Sequence, residues 1–341
     1  AGHVDPAGIV AILGKTEGNG CVNDFTRAFA VTTLQTMLRG HIAAETADRV
    51  CLVMSGGTEG ALAPHWLVLE RVEQGGGATP ALAIGRAHTP VLEPGDLGRR
   101  AQADMVAEGV LAAMRDAGIA GVDDVHFAQV KCPLLTAQRV KAAEAAGRQL
   151  ATRDTLKSMG LSRAASALGV ALALGEIADE AVTDARIGGD PSLWSARASA
   201  SAGVELLNHE IVVLGMSAAW SGPLAIDHAV MADQLDLAPV RAAAARLGLD
   251  LVGPPDPARR PRLAALLAKA EAGTSGTLRG FRHTMNDDSD ISATRHARAF
   301  VGGALAGLVG HAEIFVSGGA EHQGPDGGGP VALIVERADL G

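Results

Sequence analysis

The sequence predicts an α/β fold built from one unit used three times, and two observations predict it. The pattern Ser-small-Gly-x-Glu occurs as Ser55-Gly56-Gly57-Thr58-Glu59, as Ser317-Gly318-Gly319-Ala320-Glu321, and more loosely as Ser201-Ala202-Gly203-Val204-Glu205. Each copy closes the same ordered set: a lysine after an apolar run, a Thr/Ser-Arg pair opening a helix, then the serine. The sets are Lys15, Arg27, Ser55; Lys131, Arg163, Ser201; and Lys269, Arg295, Ser317. Equal order at near-equal intervals three times over is hard to obtain by chance.

The elements follow in order. Gly8–Leu13 is a short apolar run of the buried-strand type, ending at Gly14-Lys15. A Gly/Asn loop leads to a helix from Thr26-Arg27 to Met37, and strand Val50–Met54 delivers Ser55. Gly75-Gly76-Gly77 is a turn, and Ala81–Ile84 is a strand expected to close the first unit, residues 1–91. The second unit, 92–224, opens with an amphipathic helix over about Leu97–Ala117. Strand Val125–Val130 ends at Lys131, and Ser162-Arg163 opens an Ala-rich helix to about Ile177. Ser201 and the strand Ile211–Leu214 follow. The third unit, 225–341, has a helix over Val240–Leu247 and a rigid break at Pro254-Pro255-Asp256-Pro257. Leu263–Ala268 leads to Lys269, Thr294-Arg295 opens a helix to Leu308, and Val331–Val335 closes the unit behind Ser317. The second and third units have a helix before the lysine strand. The first has only fourteen residues there, so an upstream helix is expected to be missing from it.

Composition bounds the function. A length of 341 residues is that of two or three domains, and 48% hydrophobic content is ample for their cores. A formal charge of −9 argues against nucleic acid as partner, and 3% aromatics without tyrosine leave no base-stacking platform. No apolar run approaches a membrane span, which takes about 20 residues. Three cysteines, Cys21, Cys51 and Cys132, form no CxxC and read as free thiols of a reducing cytoplasm. There is no GxGxxG after a strand, no P-loop and no Gly-x-Ser-x-Gly elbow. A His-x-His pair is also absent, and His41, His65, His88, His283, His296 and His322 are scattered. Gly327-Gly328-Gly329 reads as a tight loop rather than a phosphate cradle.

A lone lysine at a strand end is usually solvated, and a lone serine beside glycines is usually a turn residue. Three of each, brought together about a pseudo-three-fold axis, make a different object. Like charges and burial would both lower the lysines' pKa values, and a neutral lysine is a competent general base. A serine beside such a lysine becomes a nucleophile, and small neighbours let backbone N–H groups approach an oxyanion. An arginine in the first turn of a helix opposes the dipole, so three of them argue for a purpose, the grip of carbonyl oxygens.

Longer stretches carry a family resemblance. Residues Gly14 to Asp24 (GKTEGNGCVND), Met54 to Gly60 (MSGGTEG) and Val130 to Leu135 (VKCPLL) resemble the cyanuric acid hydrolase/barbiturase family. So do Arg282-His283-Thr284-Met285 with Asp288-Ser289-Asp290-Ile291, and Ser317 to Pro330 (SGGAEHQGPDGGGP). The resemblance covers essentially the whole chain and departs only in the short N-terminus. It implies three similar α/β domains, each a small sheet backed by helices, with the active site on their pseudo-three-fold axis. The implied activity is hydrolytic opening of cyanuric acid, a ring with three equivalent carbonyls, to carboxybiuret, which then decarboxylates to biuret. The family's catalytic pair falls on Lys131 and Ser201, leaving Lys15 and Lys269 in accessory dyads. Its substrate contacts fall on Arg27, Arg163 and Arg295 and on Ser55-Gly56, Ser201-Ala202 and Ser317-Gly318. No cofactor is implied for catalysis. A structural Mg²⁺ or Ca²⁺ is implied at Glu271, Ala320, Gln323, Gly324, Pro325 and Gly328, mostly through carbonyls, oxygen ligands that suit such ions. The family also implies a homo-oligomer, commonly a tetramer. Two other readings stay open: a barbiturase, with Ile291 and Ser292 near the third arginine tuning the preference, and a non-enzymatic binding protein for a small anion.

Overall fold

The computed structural model describes residues 4–72, 79–252 and 262–337. The turn expected at Gly75-Gly76-Gly77 and the break expected at Pro254-Pro255-Asp256-Pro257 lie outside them.

Three small sheets carry the molecule. The first segment runs β1 (Ile9–Thr16), α1 (Phe25–Arg39), α2 (Ala44–Ala47), β2 (Cys51–Gly56) and β3 (His65–Glu70), with sheet order β2-β1-β3. The second runs β4 (Ala81–His88), α3 (Arg100–Asp116), β5 (Val125–Pro133), α4 (Ala137–Ala145), α5 (Thr155–Ala173), β6 (Ala198–Gly203) and β7 (Glu210–Ser217), with order β4-β7-β5-β6. The third runs β8 (Leu224–Met231), α6 (Ala238–Arg246), β9 (Leu263–Ala270), a short hairpin β10 (Thr277–Leu278) and β11 (Phe281–Arg282), α7 (Ala293–Val309), β12 (Phe315–Gly318) and β13 (Gly329–Glu336). Its order is β12-β9-β13-β8. In every sheet the serine strand lies parallel to the lysine strand, and the next strand returns antiparallel to the lysine strand. A parallel pair needs a crossover, and α1, α5 and α7 supply it.

β1, β2 and β6 are buried on both faces, and β1 and β2 accordingly read as apolar runs. One face of each sheet meets the other two in a shared core that includes Val10 and Leu13, Phe127 and Val212, and Leu267, Phe315 and Ile334. The other faces pack under helices: Ile12 and Leu52 with Ala30 and Leu38, Val130 and Val213 with Val110 and Val170, Leu266 and Leu333 with Val301 and Leu305. Each such aliphatic side chain contributes about 1.5–3 kcal/mol by leaving water.

Two expectations need correction. Ala81–Ile84 does not close the first unit: β4 is the edge strand of the second sheet, antiparallel to β7. The returning strand of the first sheet is β3, a half-exposed strand that sequence reading left unassigned although residues 66–69 are an apolar run. Residues 81–91 therefore belong with the second sheet. The second correction concerns α5. It starts at Thr155, capped by Asp154, whose side chain accepts a hydrogen bond from Lys157 N at 2.9 Å. Arg163 thus sits two turns inside the helix, away from its N-terminal dipole. Among the described residues, no helix is long and apolar enough to cross a membrane.

Candidate active site

Strand register sets the lysines and serines opposite one another. Lys15 pairs with Ser55, Lys131 with Ser201 and Lys269 with Ser317, each across a parallel ladder. Strand alternation puts each lysine on the side of Leu13, Phe127 or Leu267, toward the shared core. All three lysines are at most 1% exposed.

Their ammonium groups bond around the molecule in one direction. Lys15 Nζ donates to Val316 O at 2.8 Å, Lys269 Nζ to Ala200 O at 3.0 Å, and Lys131 Nζ to Met54 O at 2.5 Å. Each carbonyl belongs to the residue before a serine of another sheet. The hydroxyls meet in the middle: Ser317 Oγ lies 3.3 Å from Ser55 Oγ and 3.2 Å from Ser201 Oγ. Lys15 Nζ donates to Ser55 Oγ at 3.3 Å and Lys269 Nζ to Ser317 Oγ at 3.2 Å. Among the described residues Lys131 makes no such bond to Ser201. Its Nζ stands 2.7 Å from Glu205 Oε1, an ion pair without hydrogen-bond alignment.

Burial lowers the pKa of all three lysines. It drives Lys15 well below the ordinary value, with Arg298 adding to the effect. Burial, then Arg163, brings Lys269 down to about 7. Lys131 is lowered by burial and by Arg27, but Glu205 opposes the shift.

Arginines and the motif glutamates form a second ring. Arg163 grips Glu321 with Nε at 2.8 Å and Nη2 at 2.6 Å. Arg298 grips Glu59 likewise, at 2.7 and 2.5 Å. Arg27 Nη1 donates to Ala202 O at 3.2 Å and Nη2 to Cys21 O at 2.6 Å, while its Nε stays 4.0 Å from Glu205. A small cavity is lined by Arg27, Arg163 and Arg298, by the three serines, and by Gly56, Ala202 and Gly318. The glycines are needed for close approach: a Cβ at Gly56 would stand 1.9 Å from Asp24 Oδ2, and one at Gly318 2.5 Å from Thr294 Cγ2.

Of the expected arginines, Arg295 is not in that cavity, and the three lysines lie behind its serines rather than on its wall. The Arg295 side chain is 40% exposed, 3.3 Å from Glu59, on the wall of a wider outer pocket with Ser292 and Thr294. The structure puts Arg298, one turn further along α7, at the third corner. Sequence reading missed Arg298 and gave no role to Glu59, Glu205 and Glu321. The signal for the glutamates was present, since the motif ends in Glu all three times.

Four of the six residues expected to hold a cation, Glu271, Ala320, Gly324 and Pro325, share a pocket. Among the described residues the Glu271 carboxylate accepts from Ala272 N, Ala320 N and Thr294 Oγ1, at 3.1 to 3.4 Å. Burial and the nearby Glu321 raise its pKa. A buried carboxylate held by neutral donors, beside glycine-rich backbone, suits a hard cation. The Gln323 side chain is committed elsewhere: its Oε1 accepts from Ala200 N at 2.6 Å, and its Nε2 donates to Gly319 O at 3.1 Å. This residue can offer the ion only its carbonyl.

Three concatenated α/β units closing on one pocket of serines, buried lysines and arginines define a hydrolase of amide-type bonds. Residues 1–336 match the family described as amidohydrolase ring-opening protein, and the chain belongs to that family, hydrolases of cyclic-amide C–N bonds. Among its relatives is a cyanuric acid amidohydrolase of Bradyrhizobium sp. (strain ORS 375), 64% identical, aligned over 98% of this chain and 92% of the relative. Another, of Azorhizobium caulinodans, is 66% identical over the same shares. A solved cyanuric acid hydrolase from A. caulinodans superposes with a TM-score of 0.92 at 65% identity, covering 99% of this chain and 92% of that one.

Proposed function

We propose that the chain hydrolyses cyanuric acid, with Ser201 as nucleophile and Lys131 as general base, giving carboxybiuret that then loses carbon dioxide to form biuret. The observation that carries the reading is the matching of threes: three serines and three arginines around one cavity, for a ring with three equivalent carbonyls. Arginine forks grip carbonyl oxygens, and the local cationic field favours the anion of an acidic imide despite the acidic chain. The register that lets Lys15 and Lys269 reach their serines is shared by Lys131 and Ser201. Rotation of one side chain then brings Nζ to Oγ on an unchanged backbone.

Lys131 takes the Ser201 proton as Oγ attacks the nearest ring carbonyl. Backbone N–H groups at Ala202 and the neighbouring hydroxyls hold the oxyanion, worth roughly 3–4 kcal/mol per donor. The ring C–N bond breaks, the departing nitrogen takes the proton from Lys131, and a carbamate ester remains on Ser201. Water activated by the same lysine releases it. Ser201, Lys131, the backbone N–H of Ala202 and a water carry these steps. A Mg²⁺ or Ca²⁺ held by Glu271 and the carbonyls of residues 320–328 would neutralise the Glu271 carboxylate and brace the loop behind Ser317.

The test is turnover of cyanuric and barbituric acids, side by side, by chelator-treated protein. We expect cyanuric acid to be consumed and Ser201→Ala to abolish consumption while still binding substrate. Preferential turnover of barbituric acid would overturn the substrate, and a near-normal kcat in Ser201→Ala would overturn the nucleophile.

A further inference from the structure

The lysine-to-carbonyl contacts are three-fold, and the pairing of the motif glutamates is not. Glu59 and Glu321 each end a serine motif, and each is locked two-pronged on an arginine of another unit. By symmetry Glu205 should lock on Arg27. It does not: the closest approach is 4.0 Å, and Glu205 stands 2.7 Å from Lys131 instead. Neither of its carboxylate oxygens has an aligned hydrogen bond, and Arg27 Nε has none either. The two Nη groups of Arg27 are taken up by carbonyls of its own loop and by Ala202 O, which leaves the carboxylate free to face the lysine. The backbone allows the turn, because a Cβ at Gly203 would sit 2.1 Å from Glu205 Oε2. Arg139 Nη2 fixes the segment by donating to Val204 O at 2.9 Å.

From this broken symmetry we infer that Glu205 completes a Ser201–Lys131–Glu205 triad and thereby decides which of three similar lysines carries the proton. The inference rests on the assignment of Ser201 and Lys131 above. In the step, Ser201 Oγ–H gives its proton to Lys131 as the Oγ–C bond forms. The ammonium so created is stabilised by the carboxylate beside it, then gives the proton to the ring nitrogen as the C–N bond breaks. Glu205 stays ionised throughout and gains no proton, so it is a positioning and electrostatic residue, as the buried carboxylate is in a Ser-His-Asp site. Among the described residues Lys15 and Lys269 have no carboxylate at contact, and Glu59 and Glu321 are held by arginines.

The sign of the pH effect follows. A neutral Lys131 is the active base, so kcat/KM rises with pH through its pKa. Glu205 raises that pKa, so its removal moves the acid limb to lower pH. The other groups facing the pair are Arg27 from α1, Arg139 from α4, Cys132 on the same strand and Glu210 on β7. Burial raises Glu210 to about 7, so the profiles are compared in a Glu210→Gln background, which removes that titration.

The experiment measures kcat, KM and the kcat/KM–pH profile for Glu205→Gln and Glu205→Asp, with Glu59→Gln and Glu321→Gln beside them. For Glu205→Gln we expect the acid limb to fall by about one pH unit or more and kcat to drop roughly 100-fold or more, with KM changed far less. Glu205→Asp should recover at least about tenfold of the lost kcat, which a merely misfolded Gln variant could not explain. Glu59→Gln and Glu321→Gln should raise KM, by loosening Arg298 and Arg163, and leave the limb in place. An unmoved limb in Glu205→Gln, or a limb that moves in either of the other two, overturns the inference. Acid-quenched mass spectrometry separates this from failure of the underlying assignment. An adduct that persists in Ser201→Ala removes Ser201 as nucleophile, whereas an adduct on Ser201 in a Glu205→Gln protein with an unmoved limb removes only the role of Glu205.

Discussion

Lys15, Lys131 and Lys269 share one backbone address and differ in what surrounds them. Burial disfavours the charge on each, and among the described residues only Lys131 has a carboxylate within ion-pair distance. The same logic sorts the arginines of α7. Arg298 is 4% exposed and forked on Glu59 inside the cavity, while Arg295 touches the same glutamate from outside. Arg298→Ala removes a donor pair from the cavity and leaves a buried carboxylate unpaired, so kcat/KM should fall roughly 100-fold or more. Arg295→Ala should stay within about threefold of wild type, as exposed pairs contribute little. Steady-state kinetics on both variants checks this, and the reverse ranking would return Arg295 to the cavity. Sequence reading pointed to the right helix and the wrong turn. Residues three apart share a helix face, and nothing in the chain says which of the two meets the axis. The glutamates were legible as a repeated letter but not as a ring, since their partners lie in other units.

Elements were legible where burial was complete. β1, β2, β5 and β9 announce themselves as apolar runs ending in the functional residue. β8 was lost because Asp227 and His228 interrupt its run, whereas half-exposed β3 was left unassigned although residues 66–69 are apolar. The start of α5 was misread because Ser162-Arg163 resembles a helix opening, while the true cap is Asp154. Asp24 shows how an element end serves the site. Its carboxylate accepts from Thr26 N at 3.0 Å, capping α1, and from Gly20 N at 2.9 Å, tying down the loop whose carbonyls hold Arg27. Asp24→Ala should cost about 1–2 kcal/mol of stability, the usual worth of a cap, and should raise KM through Arg27 more than it lowers kcat. Denaturant melting with steady-state kinetics measures both, and an unchanged KM would detach the loop from substrate binding.

At the scale of the molecule, the three-copy order of Lys, Arg and Ser in the sequence was enough to expect one convergent pocket, and serines from all three sheets do meet, each opposite its lysine in the ladder. The asymmetry was not legible, because it lies in where one glutamate side chain turns. A pseudo-symmetric site needs such a break, for a symmetric ring offers substrate three equal nucleophiles. The central claim is therefore that the second unit alone does covalent chemistry. Its most direct test is intact-mass spectrometry of wild type, Ser55→Ala, Ser201→Ala and Ser317→Ala, acid-quenched during turnover of cyanuric acid. The account predicts a carbamoyl-type adduct on every protein except Ser201→Ala. An adduct on Ser201→Ala, or its loss only from Ser55→Ala or Ser317→Ala, would contradict it.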